Sequence, residues 1–464
     1  MIRKTLMVTS LAAAYFMNAQ DVSTIRNTAD VYANSSMQGS AKYNAMAGSM
    51  GALGGEYSVI NSNPAGVGVS IANDFSATLG IRSQQNNSSL NNQSINYKIN
   101  NTDITSSGGI AVFPVSSSNW KFVNVGVSYS NRSLEDYTET PGNSNVTFQF
   151  EDEDENIENL AFAGHAFNRY GNVNKTSIAV GGNYDNRVYL GVGLNFHNSV
   201  LDQYDSAAFT NGSNGTEIFD KQFTPFSESA SGFSASVGVI GKINPNFRLG
   251  AAIETPTWWS MERVYNGYAI TGDGSYYEDR KLSSPLKATL SAAYVANKNL
   301  SLNVDYTLGI TKPKYKVYGE AETVLNDFFS DNYNTASEVK VGAEYRIDAF
   351  RLRAGYGYAA SPFDSVSVSA YDAAGSSGSR TFESMFVGNR NTVGAGIGYD
   401  FRSFYIDAAY QYVDSDYANP FLYGSEEDGT GYYSPTKELN SANYLVSDVE
   451  NKQNNFYITL GWKF

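Results

Sequence analysis

Two histidines, His165 and His197, are the only imidazoles in a chain of 464 residues. A serine hydrolase needs such a base near a serine, with a carboxylate or amide to orient it. No G-x-S-x-G accompanies either histidine, and "GAGIG" at 394–398 reads as strand glycine rather than a phosphate cradle. Catalysis is therefore not expected. The histidines are instead candidates for ligands of haem iron, against the plainer reading of solvated loop side chains. The acidic run from Glu151 to Glu155 could take divalent cations, or sit among those bound to lipopolysaccharide; a solvated loop is its default. Arg351 and Arg353 could hold a carboxylate, or simply pair with Glu344.

Apolar residues also occur where polar loops have no need of them. Ile157, Leu160, Ala161 and Gly164 recur at helical spacing, as do Val324, Leu325, Phe328 and Phe329. Trp258, Trp259 and Met261 form a third group, and Phe421 with Leu422 a fourth. Together they are candidates for a hydrophobic entry groove, the alternative being loops that pack on one another.

Composition says what must position these residues. The chain has 32 Lys+Arg and 46 Asp+Glu, a net charge of −14, which argues against nucleic acid. Charged residues make up only 17%, whereas 34 Tyr and 26 Phe bring aromatics to 14%. Membrane barrels use such residues in interfacial girdles. There are no cysteines, so a disulfide scaffold is excluded. The N-terminus joins Arg3 and Lys4 to an apolar run and a small-residue site at Met17-Asn18-Ala19, the pattern of a secretory signal over residues 1–20. Beyond it, no apolar run is long enough for a spanning helix.

After residue 73 the dominant pattern is period-two alternation. In "VKVGAEYRI", Val339, Val341, Ala343, Tyr345 and Ile347 oppose Lys340, Gly342, Glu344 and Arg346. Six tight turns, near 116–119, 185–186, 244–246, 297–298, 348–349 and 402, pair twelve strands, and one more at each end makes fourteen. Seven long polar segments lie between the hairpins, near 84–109, 130–175, 197–232, 255–286, 309–336, 359–390 and 413–454. The expected fold is all-β: a 14-stranded antiparallel transmembrane β-barrel over residues 73–464, with seven long extracellular loops. Residues 21–72 do not alternate and are rich in glycine and small residues. A barrel of this width leaves a lumen to be plugged, and this N-terminal segment is placed to fold inward as a hatch.

"GSAKYNAMAGSMGAL", followed by "NSNPAGVG", resembles the hatch of the FadL/TodX-type outer-membrane transporters of long-chain fatty acids and hydrocarbons. "SPLKATLSAAYVANKNLSLNVDYTL" and "VGAGIGYDFRSFYIDAAYQYV" look like that family's later hairpins, and "LGWKF" fits a barrel-assembly signal ending in Phe464. The resemblance implies passive uptake of a hydrophobic small molecule through the outer membrane of a Gram-negative bacterium. It implies a monomer without cofactor, assembled by the barrel machinery and embedded among lipopolysaccharide. Asn63, Pro64, Ala65 and Gly66 are then the hatch motif. A shut barrel acting as a haem receptor or adhesin is the alternative of a different class.

Overall fold

Along residues 188–196, Val188, Leu190, Val192, Leu194 and Phe196 stand exposed while Tyr189, Gly191, Gly193 and Asn195 are buried. The exposed set is apolar, so its solvent is hydrocarbon, and the opposite face turns to a lumen. This pattern recurs around the molecule. The computed structural model describes residues 22–34, 38–117, 119–151, 157–211, 215–265, 276–317, 320–363, 365–425 and 429–464. The signal-peptide reading, the acidic run after Glu151 and part of the segments at 211–215 and 426–429 lie outside the described residues.

Fourteen strands close the barrel, numbered in chain order. They are β1 (Asp74–Leu90), β2 (Gln93–Pro114), β3 (Trp120–Ser133), β4 (Ile157–Tyr184), β5 (Val188–Thr210), β6 (Phe226–Lys242) and β7 (Phe247–Glu254). The second half comprises β8 (Lys287–Val295), β9 (Leu300–Gly309), β10 (Ser337–Ile347), β11 (Phe350–Ala359), β12 (Asn389–Asp400), β13 (Phe404–Phe421) and β14 (Leu445–Lys463). Each pairs antiparallel with the next. β14 returns to β1 from Asp74↔Lys463 to Ser89↔Asp448, which removes the edges that hydrocarbon would not tolerate.

Much of what reads as loop in the sequence is strand. β1 and β2 run through most of 84–109 to a two-residue turn at Asn91 and Asn92, both with positive φ (49° and 60°). β4 extends over 28 residues and β5 over 23. Alternation reports a difference between two faces. Above the bilayer both faces are polar, so that signal vanishes while backbone pairing continues. The strand Asp136–Glu151 pairs with β4 and crosses the inner side of β1, where Gln84 donates to Asp136 (3.1 Å) and Ser88 meets Thr140 (2.9 Å). Strand Trp258–Tyr265 adds to β6, and helix Glu320–Asn332 lies in the segment before β10. The hairpin of Ser365–Tyr371 and Ser377–Glu383 stands apart from the barrel sheet.

Short helical pieces fill the lumen: α1 (Val22–Asn27), a π-turn (Thr28–Tyr32), α2 (Ala41–Ala45) and two 3-10 turns (Tyr57–Asn61, Pro64–Val69). Their side chains are almost wholly buried.

The strand order puts the short turns on one side of the membrane and the long connections on the other. Epitope tags within 211–215 and 426–429 should be labelled on intact cells, and tags in the turns at 185–186 and 297–298 only after permeabilisation. The opposite labelling pattern would invert the barrel.

Candidate functional site

The hatch is held where its backbone meets the backbone of the wall. A Cβ added to Gly238 of β6 would stand 2.0 Å from Asn63 Oδ1, and one on Gly191 of β5 2.3 Å from the Ala65 amide nitrogen. The same closeness joins Gly181 of β4 to Gly68, Gly355 of β11 to Met46, and Gly394 of β12 to Ala45. Only glycine leaves room for such approach. These residues form a belt around the lumen into which the hatch is set.

Asn63 is the hinge of this contact. Its Nδ2 donates to the Gly51 carbonyl within the hatch (2.9 Å) and to the Val239 carbonyl of β6 (3.2 Å), while its Oδ1 accepts from the Ala65 amide (3.0 Å). Pro64 opens the 3-10 turn that Asn63 caps, at a position where no donor is needed. Gly66 is packed against Val59, so a side chain there would collide at 2.6 Å. Further bonds tie hatch to wall: Gly51 N to Asp305 (2.9 Å), Arg248 to the Leu53 carbonyl (2.9 Å) and Ala41 N to Thr459 (2.7 Å).

Residues 22–34 lie apart from this belt, towards the loops. Arg26 pairs with Asp136 (2.8 Å), Asp30 with Arg169, and Tyr32 donates to Glu228 (2.6 Å), which also holds Arg263 (2.7 Å). Ile25, Val31 and Tyr32 enter an apolar cluster with Trp259, Met261, Leu325, Phe328 and Phe329. Tyr32 meets Trp259 edge-on at 5.0 Å.

The groove candidates therefore divide. Trp259, Leu325, Phe328 and Phe329 share that cluster; Leu160 and Phe421 belong to a second one with Phe162 and Phe209. Ile157 and Trp258 are exposed, at 67% and 52%. The reason is local structure. Residues 157–164 are strand, not helix, so positions three apart face opposite ways, as do the neighbours Trp258 and Trp259. Residues 324–329 are helical, and there the helical spacing does gather Leu325, Phe328 and Phe329.

Arg351 and Arg353, the candidates for a ligand carboxylate, are each bonded within the wall. Arg353 holds Glu344 (2.8 Å) and Asp407 (2.6 Å), and Arg351 is bound to the Asp348 carbonyl (2.8 Å) and Asp400 (3.4 Å). Both precede Gly355 on β11, so the hatch lies between them and the loops. His165 is buried, its Nε2 bonded to Asp205 (2.9 Å) and its ring stacked on Phe421 (4.1 Å), so haem ligation would require this packing to come apart. His197 faces Ser234 (3.1 Å) beside Trp259.

Between hatch and roof lies a cavity of about 200 Å³, flanked by Arg26, Asp30, Arg82, Arg132, Arg169 and Arg390. It reaches the wall where the β2–β3 ladder stops. That ladder runs only from Ser106↔Ser130 to Pro114↔Phe122, leaving residues 93–105 of β2 paired to β1 alone among the described residues. Side chains span the break: Arg82 to the Ser133 carbonyl (2.9 Å), Asn101 to Glu135 (3.3 Å), and Asn131 to Asp103. The glycine belt and these ion pairs were not anticipated. The belt had a trace in the sequence, since glycines recur at inward positions of several strands; the pairs of Arg26 with Asp136 and of Asp30 with Arg169 join residues more than a hundred positions apart and had none.

Gly238→Val should push Asn63 off the wall, at an overpacking cost of roughly 1–3 kcal/mol. The expected outcome is a barrel that stays heat-modifiable on gels but makes cells several-fold more sensitive to antibiotics the wild type excludes. Gly241→Val on the same strand is the control, because a Cβ there meets nothing within 4 Å. Equal sensitivity of the two variants would show that the belt does not seat the hatch.

No protein-family model matches the chain, and no curated protein matches it. Among solved structures it is similar to a Pseudomonas aeruginosa FadL homologue, 13% identical, with a TM-score of 0.56 over 92% of this chain and 99% of that one. It is also similar to the Pseudomonas putida toluene transporter TodX, 13% identical, with a TM-score of 0.52 over 92% and 98%. These are structures of the type to which the hatch motif pointed. At this identity the likeness is one of fold. With its closed ladder and apolar outer band, the chain is a 14-stranded barrel of the Gram-negative outer membrane.

Proposed function

We propose that this barrel is a passive channel for hydrophobic small molecules, long-chain fatty acids or aromatic hydrocarbons among them. The observation that carries the reading is a cavity above a fixed hatch that reaches a break in the wall. Movement along the barrel axis would have to undo the glycine contacts and the bonds of Asn63, Asp305 and Thr459. Release sideways would need only the side chains of Arg82, Asn101 and Asn131 to part. The apolar roof supplies the initial attraction. Each methylene taken from water contributes about 0.8 kcal/mol, so a short apolar segment is enough to hold a ligand against dilution.

Asn63, Pro64, Ala65 and Gly66 hold the hatch that bars the axial path in this reading, and Trp259, Leu325, Phe328 and Phe329 are the core of the entry site. Leu160 and Phe421 belong to a second cluster, and Ile157 and Trp258 face away from both. The channel acts as a monomer, is placed by the barrel-assembly machinery through Phe464, and sits among lipopolysaccharide. The similarity to a structure described as a toluene transporter supports this reading. A shut surface protein would have no use for a cavity that ends at an interrupted ladder.

The test is uptake of labelled oleate and toluene by cells lacking their own such channel. The double variant Asn63→Ala with Pro64→Ala should change uptake and admit small antibiotics, while heat-modifiability stays as in wild type, because the strand ladder does not depend on the hatch. If wild type moves neither compound and the variant leaks nothing, the channel reading fails.

A further inference from the structure

The cavity between hatch and roof is walled by hydrogen-bonding groups, and five of their buried atoms have no partner among the described residues. Arg82 donates from Nη1 to the Ser133 carbonyl (2.9 Å) and from Nη2 to that of Glu135 (3.3 Å), and its Nε is left over. Arg132 donates from Nη2 to the Asp30 carbonyl (3.0 Å), and its Nε is likewise unmet. On the accepting side stand Asn455 Oδ1 and Gln84 Oε1, the amide of Gln84 donating to Asp136 (3.1 Å). Gln84 and Asn455 are 4% and 2% exposed, so bulk water does not serve them. The fifth atom is the hydroxyl of Thr105, which can donate or accept.

Thr105 is placed there by the wall itself. β1 and β2 pair Thr78 with Ser106 and then Leu79 with Ile104, so Thr105 is the extra residue of a β-bulge. Bulges re-aim a side chain. This one lays Thr105 over the inner face of Gly80, where an added Cβ would collide with its Cγ2. The bulge falls one residue before the β2–β3 ladder begins at Ser106, at the break in the wall. The hydroxyl therefore stands where the cavity meets the sideways path.

Charge does not single out an ion. Six cationic and five anionic side chains line the cavity, and they already pair with one another: Arg26 with Asp136, Arg169 with Asp30, Lys340 with Glu338. A carboxylate can only accept, which leaves Gln84 and Asn455 unmet; an ammonium can only donate, which leaves both Nε atoms. A hydrocarbon leaves all five, each at the cost of an unmade hydrogen bond. A hydroxyl serves donors and acceptors alike. The volume, about 200 Å³, exceeds the ~150 Å³ of an apolar cavity that takes up benzene, so one ring with a small substituent fits.

We propose that this cavity binds a neutral phenol or aromatic alcohol, its hydroxyl taken up by Thr105 and the unmet donors and acceptors, and so favours hydroxylated rings over hydrocarbons of equal size. This assignment rests on the channel reading and names a substrate class within it. The apolar roof draws molecules from water by their hydrophobic bodies; the cavity beneath it distinguishes them by their polar group. Both steps precede the break at Thr105, so the selection is made before release.

Equilibrium dialysis of the full-length protein, with the same detergent on both sides, against labelled p-cresol, p-xylene and p-toluate tests the proposal. The three share one ring and a methyl group and differ in the group opposite: hydroxyl, methyl or carboxylate. p-Cresol is the tyrosine side chain, neutral at pH 7. Wild type should hold p-cresol at least about tenfold more tightly than either of the others, the scale of one hydrogen bond that nothing else replaces. Thr105→Val keeps the shape and removes the hydroxyl, and should lower the cresol-to-xylene ratio severalfold; Thr105→Ser should retain the ratio. Asn455→Leu, on β14, should lower it independently, and heat-modifiability reports that each variant is folded. Equal binding of cresol and xylene by wild type, tighter binding of toluate, or a ratio unmoved by both Thr105→Val and Asn455→Leu overturns the assignment. Toluene uptake by cells expressing wild type separates this from failure of the channel itself: uptake without preference for cresol sinks only the assignment, and no uptake of any apolar compound sinks both.

Discussion

Everything in this molecule follows from the closure of β14 on β1. Hydrocarbon offers backbone groups no partner, so the ladder must be complete where lipid surrounds it. Completing it with fourteen strands makes a ring too wide for its own side chains to fill. The lumen then has to be occupied by something else, and the chain uses the residues that precede β1. Because these are backbone-rich short turns and not a compact domain, they can be seated only against strands that carry no side chain at the contact. Glycine at inward positions is thus a consequence of barrel width, not an independent feature.

The two parts of the N-terminal segment are held by different physics. Residues 39–69 dock by close backbone approach, reinforced by hydrogen bonds to wall side chains: Asn124 donates to the Val67 carbonyl and Thr459 accepts from the Ala41 amide. Residues 22–34 are tied by buried ion pairs and by burial of Ile25, Val31 and Tyr32 in the roof. Buried pairs add little net stability over a hydrophobic contact, but removing one partner leaves an expensive unpaired charge. Such pairs specify one position strongly. The first arrangement resists displacement along the axis; the second fixes where the roof begins and leaves the polar cavity beneath it.

The barrel was legible in the sequence because lipid on one side and lumen on the other impose a strict alternation, as in 188–196 and 339–347. The same cause explains where legibility ended. Beyond the bilayer, in 84–109 or 157–175, both faces of the strand are polar or both are packed, and pairing persists without alternation to betray it. Misreading 157–164 as helical followed from this, and with it the grouping of Ile157 with Leu160. The hatch motif was legible through the resemblance of "NSNPAGVG" to the FadL/TodX-type hatch, but its partners, Gly191 and Gly238, were not, since nothing local records which strand a distant turn will touch. Arg353 shows the limit for charge: its pairing with Glu344 was one of two options open in the sequence, and its second bond, to Asp407, was not visible there.

The docking of the hatch has a consequence for the order of folding. Asn63 bonds to Val239, 176 positions away, and Ala41 to Thr459, 418 positions away. The glycine contacts draw on β4, β5, β6, β11 and β12, so no subset of early strands provides the seat. Closing loops of that length before the wall exists would cost chain entropy with no contact to offset it. Residues 39–69 leave the translocation machinery before any strand, yet they can settle only when nearly all strands are in register. The segment made first is placed last, and until then the nascent barrel has an open bore.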